Sequence, residues 1–365
     1  MTDIKQILAE AIEKGASDVH INVGLPPVFR RNTELMDMEF PAVSNEGARE
    51  MVLSMVGPEK FKKFEEFRDL DFSTTLDDGH RFRTNAHFQC DTIAIAFRVI
   101  PNKIPNIEDL HLPPIVKEMT ELSKGLVLVT GHTGSGKSTT LASMIGSINR
   151  KYRKHVITLE DPIEYSLSNE MSMIEQREIG NDCPMFDLGL RHALRQDPDI
   201  IMVGEMRDLE TTSSTITAVE TGHLVFSTLH TINASQTIER IIDIYPAGQQ
   251  NQIRTMLANT IQAVVSQTLF RRVDEPGMVP CAEILLCTSA VRNCIRENRI
   301  YEIPNIIETS RRLGMQTMDN SIAEMYSKGF LDRGEAITRS GNPGKMSKML
   351  NPEREFEVVQ SSKKR

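Results

Sequence analysis

The chain opens with helical periodicity and then changes to the alternation that is typical of strands. Within residues 1–15 the apolar positions Ile4, Ile7, Leu8 and Ile12 share one helical face, which predicts an amphipathic helix of a folded domain rather than a targeting segment. A second helix is predicted near 46–67. Alternation predicts strands at 19–23, 72–75, 81–88 and 93–100. A hairpin turn is predicted at 77–79, so the first 100 residues indicate an α+β domain.

Proline residues interrupt residues 101–124, which predicts a linker with one short helix. Beyond the linker, short apolar runs alternate with helical segments. The runs that predict strands lie at 126–130, 155–159, 200–203 and 224–227. Continuous apolar strands of this kind indicate an α/β fold, with a mostly parallel sheet covered by helices on both faces.

The alternation fades from about residue 274, and helices are predicted at 289–297 and 319–328. The final stretch is rich in Gly, Pro, Ser and Lys, which is typical of a disordered tail. The pattern therefore divides the chain into successive parts. These are an N-terminal domain at 1–100, a linker at 101–123, an α/β core at 124–273, a helical region at 274–339 and a disordered tail at 340–365.

Composition and charge narrow the class of protein. The 365 residues are 39% hydrophobic and 25% charged, as in a soluble globular chain with more than one core. The net charge of −8 argues against non-specific binding to nucleic acid or an anionic membrane, and the absence of Trp disfavours base stacking. The longest apolar runs are far shorter than the ~18 residues of a membrane span. Five cysteines without a C-x-x-C pair predict free thiols in the cytoplasm rather than a zinc cluster.

Residues 131–138, GHTGSGKS, match the phosphate-binding pattern G-x-x-x-x-G-K-[ST] between an apolar strand and a helix. Glycines allow consecutive backbone N–H groups to face phosphate oxygens, and the helix directs its positive end to the same place. Lys137 would reach the β- and γ-phosphates, and the Ser138 hydroxyl would complete the coordination of Mg²⁺. The loop therefore predicts a site for ATP and Mg²⁺. The predicted nucleotide contacts are Thr133, Gly134, Ser135, Gly136, Lys137, Ser138 and Thr139.

Carboxylates follow two of the predicted strands. Residues 157–164, ITLEDPIE, end one strand with three carboxylates, and residues 199–208 end another with Glu205. In an α/β core the carboxyl ends of the strands face the phosphate loop. A glutamate there can orient or deprotonate the attacking water, and a second carboxylate can hold Mg²⁺ or its waters. We therefore predict catalytic roles for Glu205 and Glu164, against the alternative that each is a solvated loop carboxylate.

Two histidines bracket the strand in residues 221–230, TGHLVFSTLH. No Cys or third His lies at metal-ligand spacing from them, so metal binding is not predicted. Beside a phosphate site, His223 or His230 could donate a hydrogen bond to the γ-phosphate or to a catalytic carboxylate. The alternative is an ordinary structural histidine at the end of a strand.

The ordered motifs GHTGSGKST, LEDPIEY, DPDIIMVGEMRD and TGHLVFSTLHT resemble those of the secretion ATPase superfamily. Within it, the chain resembles the twitching-motility (PilT-type) ATPases, which retract type IV pili. The likeness runs from GASDVHI at 15–21 to LGMQTMDNSI at 313–322. The stretch 290–297, AVRNCIRE, is similar to the AIRNLIRE motif of retraction motors, with Cys294 where Leu is usual. The tetracysteine insertion and longer N-terminal region of extension and type II secretion motors are missing here, which favours retraction.

This resemblance implies a homohexameric ring in which each chain has an N-terminal PAS-like domain and a RecA-like ATPase domain with a helical C-terminal region. ATP would be held between the two domains, and its hydrolysis would move them as rigid bodies. The ring would act in the cytoplasm on an inner-membrane pilus platform protein, so contact with the membrane would be indirect. Nucleic acid is not an expected partner.

The resemblance also implies roles for particular residues. Arg83 and Arg98 match the family arginines that reach the nucleotide across domain or subunit boundaries. Glu205 matches the water-orienting base and Glu164 the supporting carboxylate of the acidic box. By the same matching, the γ-phosphate sensors are His223 and His230. The family usually has Pro where this loop has His132, a position that the phosphate-binding pattern leaves open.

Other functions fit parts of the same pattern. A sibling motor would extend pili or drive type II secretion, and an accessory retraction ATPase is a nearer variant. A RecA-like nucleic-acid motor belongs to a different class, and DNA-stimulated hydrolysis would identify it. A nucleotide-gated regulatory scaffold would bind ATP without turning it over.

Overall fold

The computed structural model describes residues 3–31, 34–101 and 103–350. The chain divides into two compact units. The first unit comprises Met1–Lys103 and the short segment Pro162–Ser166, and the second comprises Ile104–Asp161 and Leu167–Arg365. Each unit has its own hydrophobic core.

The first unit is built on a six-stranded antiparallel sheet with the strand order β3-β2-β1-β6-β5-β4. Its elements are α1 (Ile4–Glu13), β1 (Asp18–Asn22), β2 (Val28–Arg31), β3 (Glu34–Asp37), α2 (Asn45–Phe67), β4 (Asp69–Thr75), β5 (Arg81–Gln89) and β6 (Thr92–Ile100). Asp3 caps α1 by accepting a hydrogen bond from the Lys5 backbone N–H. The apolar face of α1 is buried, and Phe64 of α2 packs in the same core as Phe82 and Phe97 of the sheet.

The second unit contains a seven-stranded sheet with the order β13-β12-β7-β11-β10-β8-β9. Its strands are β7 (Gly125–Thr130), β8 (His155–Glu160), β9 (Met173–Glu178), β10 (Ile200–Val203), β11 (Leu224–Leu229), β12 (Ile261–Arg271) and β13 (Met278–Leu286). All neighbouring strands run parallel except β13, which is antiparallel to β12. The six residues of β7 are all buried, as expected for a parallel strand in the middle of a covered sheet.

Helices cover both faces of this sheet. They are α3 (Ile115–Glu118), α4 (Lys137–Lys151), α5 (Phe186–Ala193), α6 (Leu209–Glu220), α7 (Ala234–Asp243), α8 (Gln250–Thr260), α9 (Ser289–Arg296), α10 (Ile303–Thr309), α11 (Met318–Ser327), α12 (Arg333–Thr338) and α13 (Pro343–Met349). Alternate residues of β7 enter different cores: Leu126 and Leu128 pack with α6 and α8, whereas Val127 and Val129 pack with α4. No helix of the described ranges is both long and apolar enough to cross a membrane.

The structure corrects several predicted boundaries. The core does not end at residue 273, because β13 pairs along its whole length with β12, so the region 274–339 is not purely helical. Most of the predicted linker at 101–123 belongs to the second unit, where Val116 is fully buried. The predicted disordered tail at 340–365 is wrong for 340–350, because α13 buries Met346 against the C-terminal core. Residues 351–365 lie outside the described residues.

Candidate functional site

The phosphate loop connects β7 to α4, and it closes around its own lysine. The Lys137 ammonium is buried and donates hydrogen bonds to the backbone carbonyls of Gly131, at 2.8 Å, and His132, at 3.0 Å. Gly134 and Gly136 adopt φ values of 78° and 87°, which L side chains rarely adopt. The loop therefore places a positive charge and the N-terminus of α4 at the same edge of the sheet.

Glu205 lies at this edge, directly after β10. Its carboxylate is 12% exposed, forms an ion pair with Arg207, whose Nε lies 2.5 Å from Oε1, and accepts a hydrogen bond from His230 Nε2 at 3.2 Å. His230 follows β11, the strand that separates β10 from β7. Because neighbouring strands are about 4.8 Å apart, β10 and β7 lie about 10 Å apart at this edge. The structure thus brings Glu205 and His230 to the side of the sheet that carries the phosphate loop.

His223 does not belong to this group. Its backbone carbonyl accepts a hydrogen bond from the N–H of Gly125, the first residue of β7, so His223 lies at the amino edge of the sheet. Six residues of β11 separate it from His230, a length of about 20 Å. Its Nδ1 contacts the Ala218 carbonyl at 2.9 Å, at the end of α6. The structure therefore places His223 at the edge of its own sheet opposite to the phosphate loop. Its predicted contact with a γ-phosphate stays a prediction.

Glu164 belongs to the segment that groups with the first unit. There it lines a cavity of about 340 Å³ together with Arg83, Arg98 and Tyr165. Arg83 and Arg98 are direct cross-strand partners on β5 and β6. The structure therefore brings the predicted supporting carboxylate together with both predicted arginines.

Two carboxylates beside these groups were not among the predicted site residues. Glu160, the last residue of β8, is 8% exposed and accepts hydrogen bonds from Thr158 Oγ1 at 2.6 Å and Gln176 Nε2 at 3.0 Å. Glu160 is one of the three carboxylates in 157–164, and its position at the very end of the predicted strand could have identified it as a site residue. Asp18 pairs with Arg98 Nε at 3.0 Å, and its only sequence signal was its place in GASDVHI.

Comparison with known proteins defines the class of this mixed α/β chain. The model of the family "Type II/IV secretion system protein" matches residues 95–342, and the chain belongs to this family. Within it, the chain is 41% identical over 341 residues to the type IV pilus retraction ATPase PilT of Pseudomonas aeruginosa. This alignment covers 93% of the chain and 99% of that protein. It is 42% identical over 321 residues to a twitching motility protein of Neisseria gonorrhoeae, covering 88% and 86% of the two chains.

A solved structure extends the likeness to the fold. The crystal structure of the pilus retraction motor PilT with bound ADP superposes with a TM-score of 0.88 at 41% identity. The match covers 95% of this chain and 100% of that one. The similarity therefore includes both the first and the second unit.

Proposed function

We propose that this chain is an ATP-hydrolysing motor that drives the retraction of type IV pili. The observation that carries the proposal is the meeting of the phosphate loop, Glu205 and His230 at one edge of a parallel sheet. The full-length likeness to a pilus retraction ATPase and to a twitching motility protein supports the cellular role.

The nucleotide site would be formed by the loop and the start of α4. Backbone N–H groups of 133–139 would bind the phosphate oxygens, with the positive end of the helix adding to the attraction. Lys137 is bound to the Gly131 and His132 carbonyls, and it would exchange these contacts for the β- and γ-phosphates. The carbonyl contacts keep the buried ammonium paired until the anion arrives.

The residues present fit Mg²⁺. The Ser138 hydroxyl lies in the first turn of α4, and Glu205 provides carboxylate oxygens at the same edge, so the donor set consists of the oxygen ligands that Mg²⁺ prefers. Ser138 would hold the ion together with the phosphates. Bound Mg²⁺ would neutralise charge on the transferring phosphoryl group.

Glu205 would orient the attacking water or accept its proton. Arg207 pairs with one carboxylate oxygen and His230 donates to the other, so the side chain is held from two sides. His230 would in addition contact the γ-phosphate. A carboxylate that is fixed in this way contributes to catalysis because its orientation is set before the substrate binds.

The first unit would be a PAS-like domain and the second a RecA-like domain, assembled as a homohexameric ring. Arg83 and Arg98 would reach ATP across a domain or subunit boundary, and Glu164 would support them. Because ADP lacks the γ-phosphate, it would favour closure less than ATP, and each cycle would move the domains as rigid bodies. The ring would act in the cytoplasm on an inner-membrane platform protein, with only indirect contact with the membrane.

The test measures ATP turnover by the purified full-length protein and pilus retraction in a deletion strain that carries each variant. Lys137→Ala and Glu205→Gln should abolish turnover and leave pili extended. Glu220→Gln, an exposed change at the end of α6, is the matched control and should behave like the wild type. Normal turnover in both site variants would refute the ATPase site. If the purified wild-type protein hydrolyses ATP but the deletion strain still retracts its pili, the cellular role is refuted. Stimulation of ATP hydrolysis by DNA would favour a nucleic-acid motor.

A further inference from the structure

Gln267 is a buried residue of β12 whose side chain forms hydrogen bonds with both the phosphate loop and α4. It lies on β12, next to β7, and is only 2% exposed. Its side-chain Nε2 donates to the backbone carbonyl of Ser135 at 2.8 Å, and its Oε1 accepts from Thr140 Oγ1 at 2.9 Å. A carbonyl oxygen only accepts, so the NH₂ group must face Ser135 and the amide oxygen must face Thr140. The buried amide therefore has one defined orientation.

The same residue limits the space around the loop. A Cβ on Gly136 would lie 2.8 Å from Gln267 Nε2, and a Cβ on Gly131 would lie 2.3 Å from the Gln267 backbone oxygen. Both positions have positive φ values, so the backbone conformation and the close approach of β12 act together to require glycine. The first and last glycines of the motif therefore pack directly on Gln267.

We propose that Gln267 is a positioning residue that sets the direction of one phosphate-binding N–H group. In a planar trans peptide the C=O and the N–H point in opposite directions. By holding the Ser135 carbonyl towards β12, Gln267 turns the N–H of Gly136 away from the strand and towards the phosphates. Gln267 itself touches no substrate. The proposal rests on the proposed ATP site and adds how that site is kept in shape.

Gln267→Met tests this step with little change in side-chain length. The variant has no donor for the Ser135 carbonyl, so the hydrogen bond that orients the Ser135–Gly136 peptide is lost. An unsatisfied Ser135 carbonyl should weaken nucleotide affinity by roughly 5- to 150-fold, which corresponds to about 1–3 kcal/mol. We expect the Kd of a fluorescent ADP analogue and the KM for MgATP to rise by that factor, and kcat at saturating MgATP to fall much less.

Val264→Ala is the matched control, because Val264 is fully buried on the same strand but packs on the opposite face of the sheet, away from α4. It should lower the thermal midpoint of the nucleotide-free protein without changing nucleotide affinity. Gln267→Leu removes the same donor with a branched apolar side chain, and it provides the test if the Met variant does not fold. The proposal is overturned if the Gln267 variants lower the thermal midpoint and bind nucleotide as tightly as the wild type. A wild-type protein that binds no nucleotide would instead refute the proposed function.

Discussion

Asp18 and Arg98 pair directly across β1 and β6, and Arg98 Nε lies 3.0 Å from the Asp18 carboxylate. On the other side of Arg98, Arg83 is its direct partner on β5. Two guanidinium groups placed opposite each other repel, so Asp18 supplies the counter-charge in this row. Burial acts to raise the pKa of Asp18, but hydrogen bonds from Arg98 and Ser17 outweigh it and hold the pKa below its usual value.

The first prediction is that Asp18→Asn lowers ATP turnover without unfolding the protein. Removing the charge leaves Arg98 free to turn away, so we expect kcat/KM to fall several-fold if Arg98 reaches the nucleotide. The stability loss should stay below about 1 kcal/mol, because Arg98 is 72% exposed. Steady-state ATPase assays and urea unfolding measure the two effects. Asp37→Asn, an exposed change on β3, is the control.

The lowered pKa also fixes the direction of the pH dependence. Ionised Asp18 stabilises the folded chain above the ordinary pKa of 3.8, and this contribution is lost as the pH falls through the folded-state value. The difference in urea midpoint between the wild type and Asp18→Asn should therefore shrink on acidification. A difference that grows as the pH falls would contradict the ion pair.

The second prediction separates the two histidines. His230→Ala removes a donor to Glu205, and we expect kcat to fall by roughly 100-fold, as for loss of a catalytic acid–base partner. His223→Ala removes a contact with the Ala218 carbonyl and should cost about 1 kcal/mol of stability with turnover close to the wild type. Single-turnover hydrolysis and thermal unfolding make the comparison. Equal losses of turnover in both variants would place His223 at the nucleotide, in a neighbouring copy of the chain.

The strands β7, β8, β10 and β11 could be predicted from the sequence because each contains a run of mainly apolar residues between helical segments. The extent of β12 and β13 could not, because β12 includes buried polar side chains. Gln267 satisfies its amide with groups more than 120 residues earlier in the chain, and no local pattern encodes such a pairing. The pairing of Asp18 with Arg98 could not be predicted either, because only the order of strands in the sheet brings the two residues together.

The opposite placement of the two histidines also follows from the sequence. A strand that runs from just after His223 to just before His230 carries them to opposite edges of a parallel sheet, and only one of these edges holds the phosphate loop. The family resemblance implies one role for both residues, which a single chain does not test. The loop, Glu205 and His230 were placed together because each follows the carboxyl end of its strand.

The third prediction concerns the thiols. Burial raises the pKa of Cys281 and of Cys287 to about 12, so neither forms a reactive thiolate at pH 8. Cys90 is exposed in the turn between β5 and β6. Brief treatment of the native protein with a maleimide should therefore modify Cys90 first, and Cys281 and Cys287 only after unfolding in urea. Peptide mass spectrometry identifies the sites, and rapid native modification of Cys281 would contradict its burial.

The fourth prediction concerns Glu283, a partly buried carboxylate on β13. Its Oε1 accepts a hydrogen bond from the Ala234 N–H at the start of α7, at 2.9 Å. Burial raises the pKa of Glu283 above its ordinary value of 4.5, and the hydrogen bond only partly opposes this. The folded state therefore favours the protonated side chain, and its stabilising contribution is complete below pH 4.5 and lost as the pH rises through the folded-state pKa.

Glu283→Gln removes the charge and keeps an oxygen that can accept from Ala234. Relative to the wild type, the variant should have a higher urea midpoint at pH 8, and this advantage should disappear at pH 4, where Glu283 is protonated in both states. Glu220→Gln, an exposed change on α6, should show no such dependence on pH. A Gln variant that is less stable than the wild type at pH 8 would mean that the carboxylate is ionised there and stabilises the start of α7 by its charge.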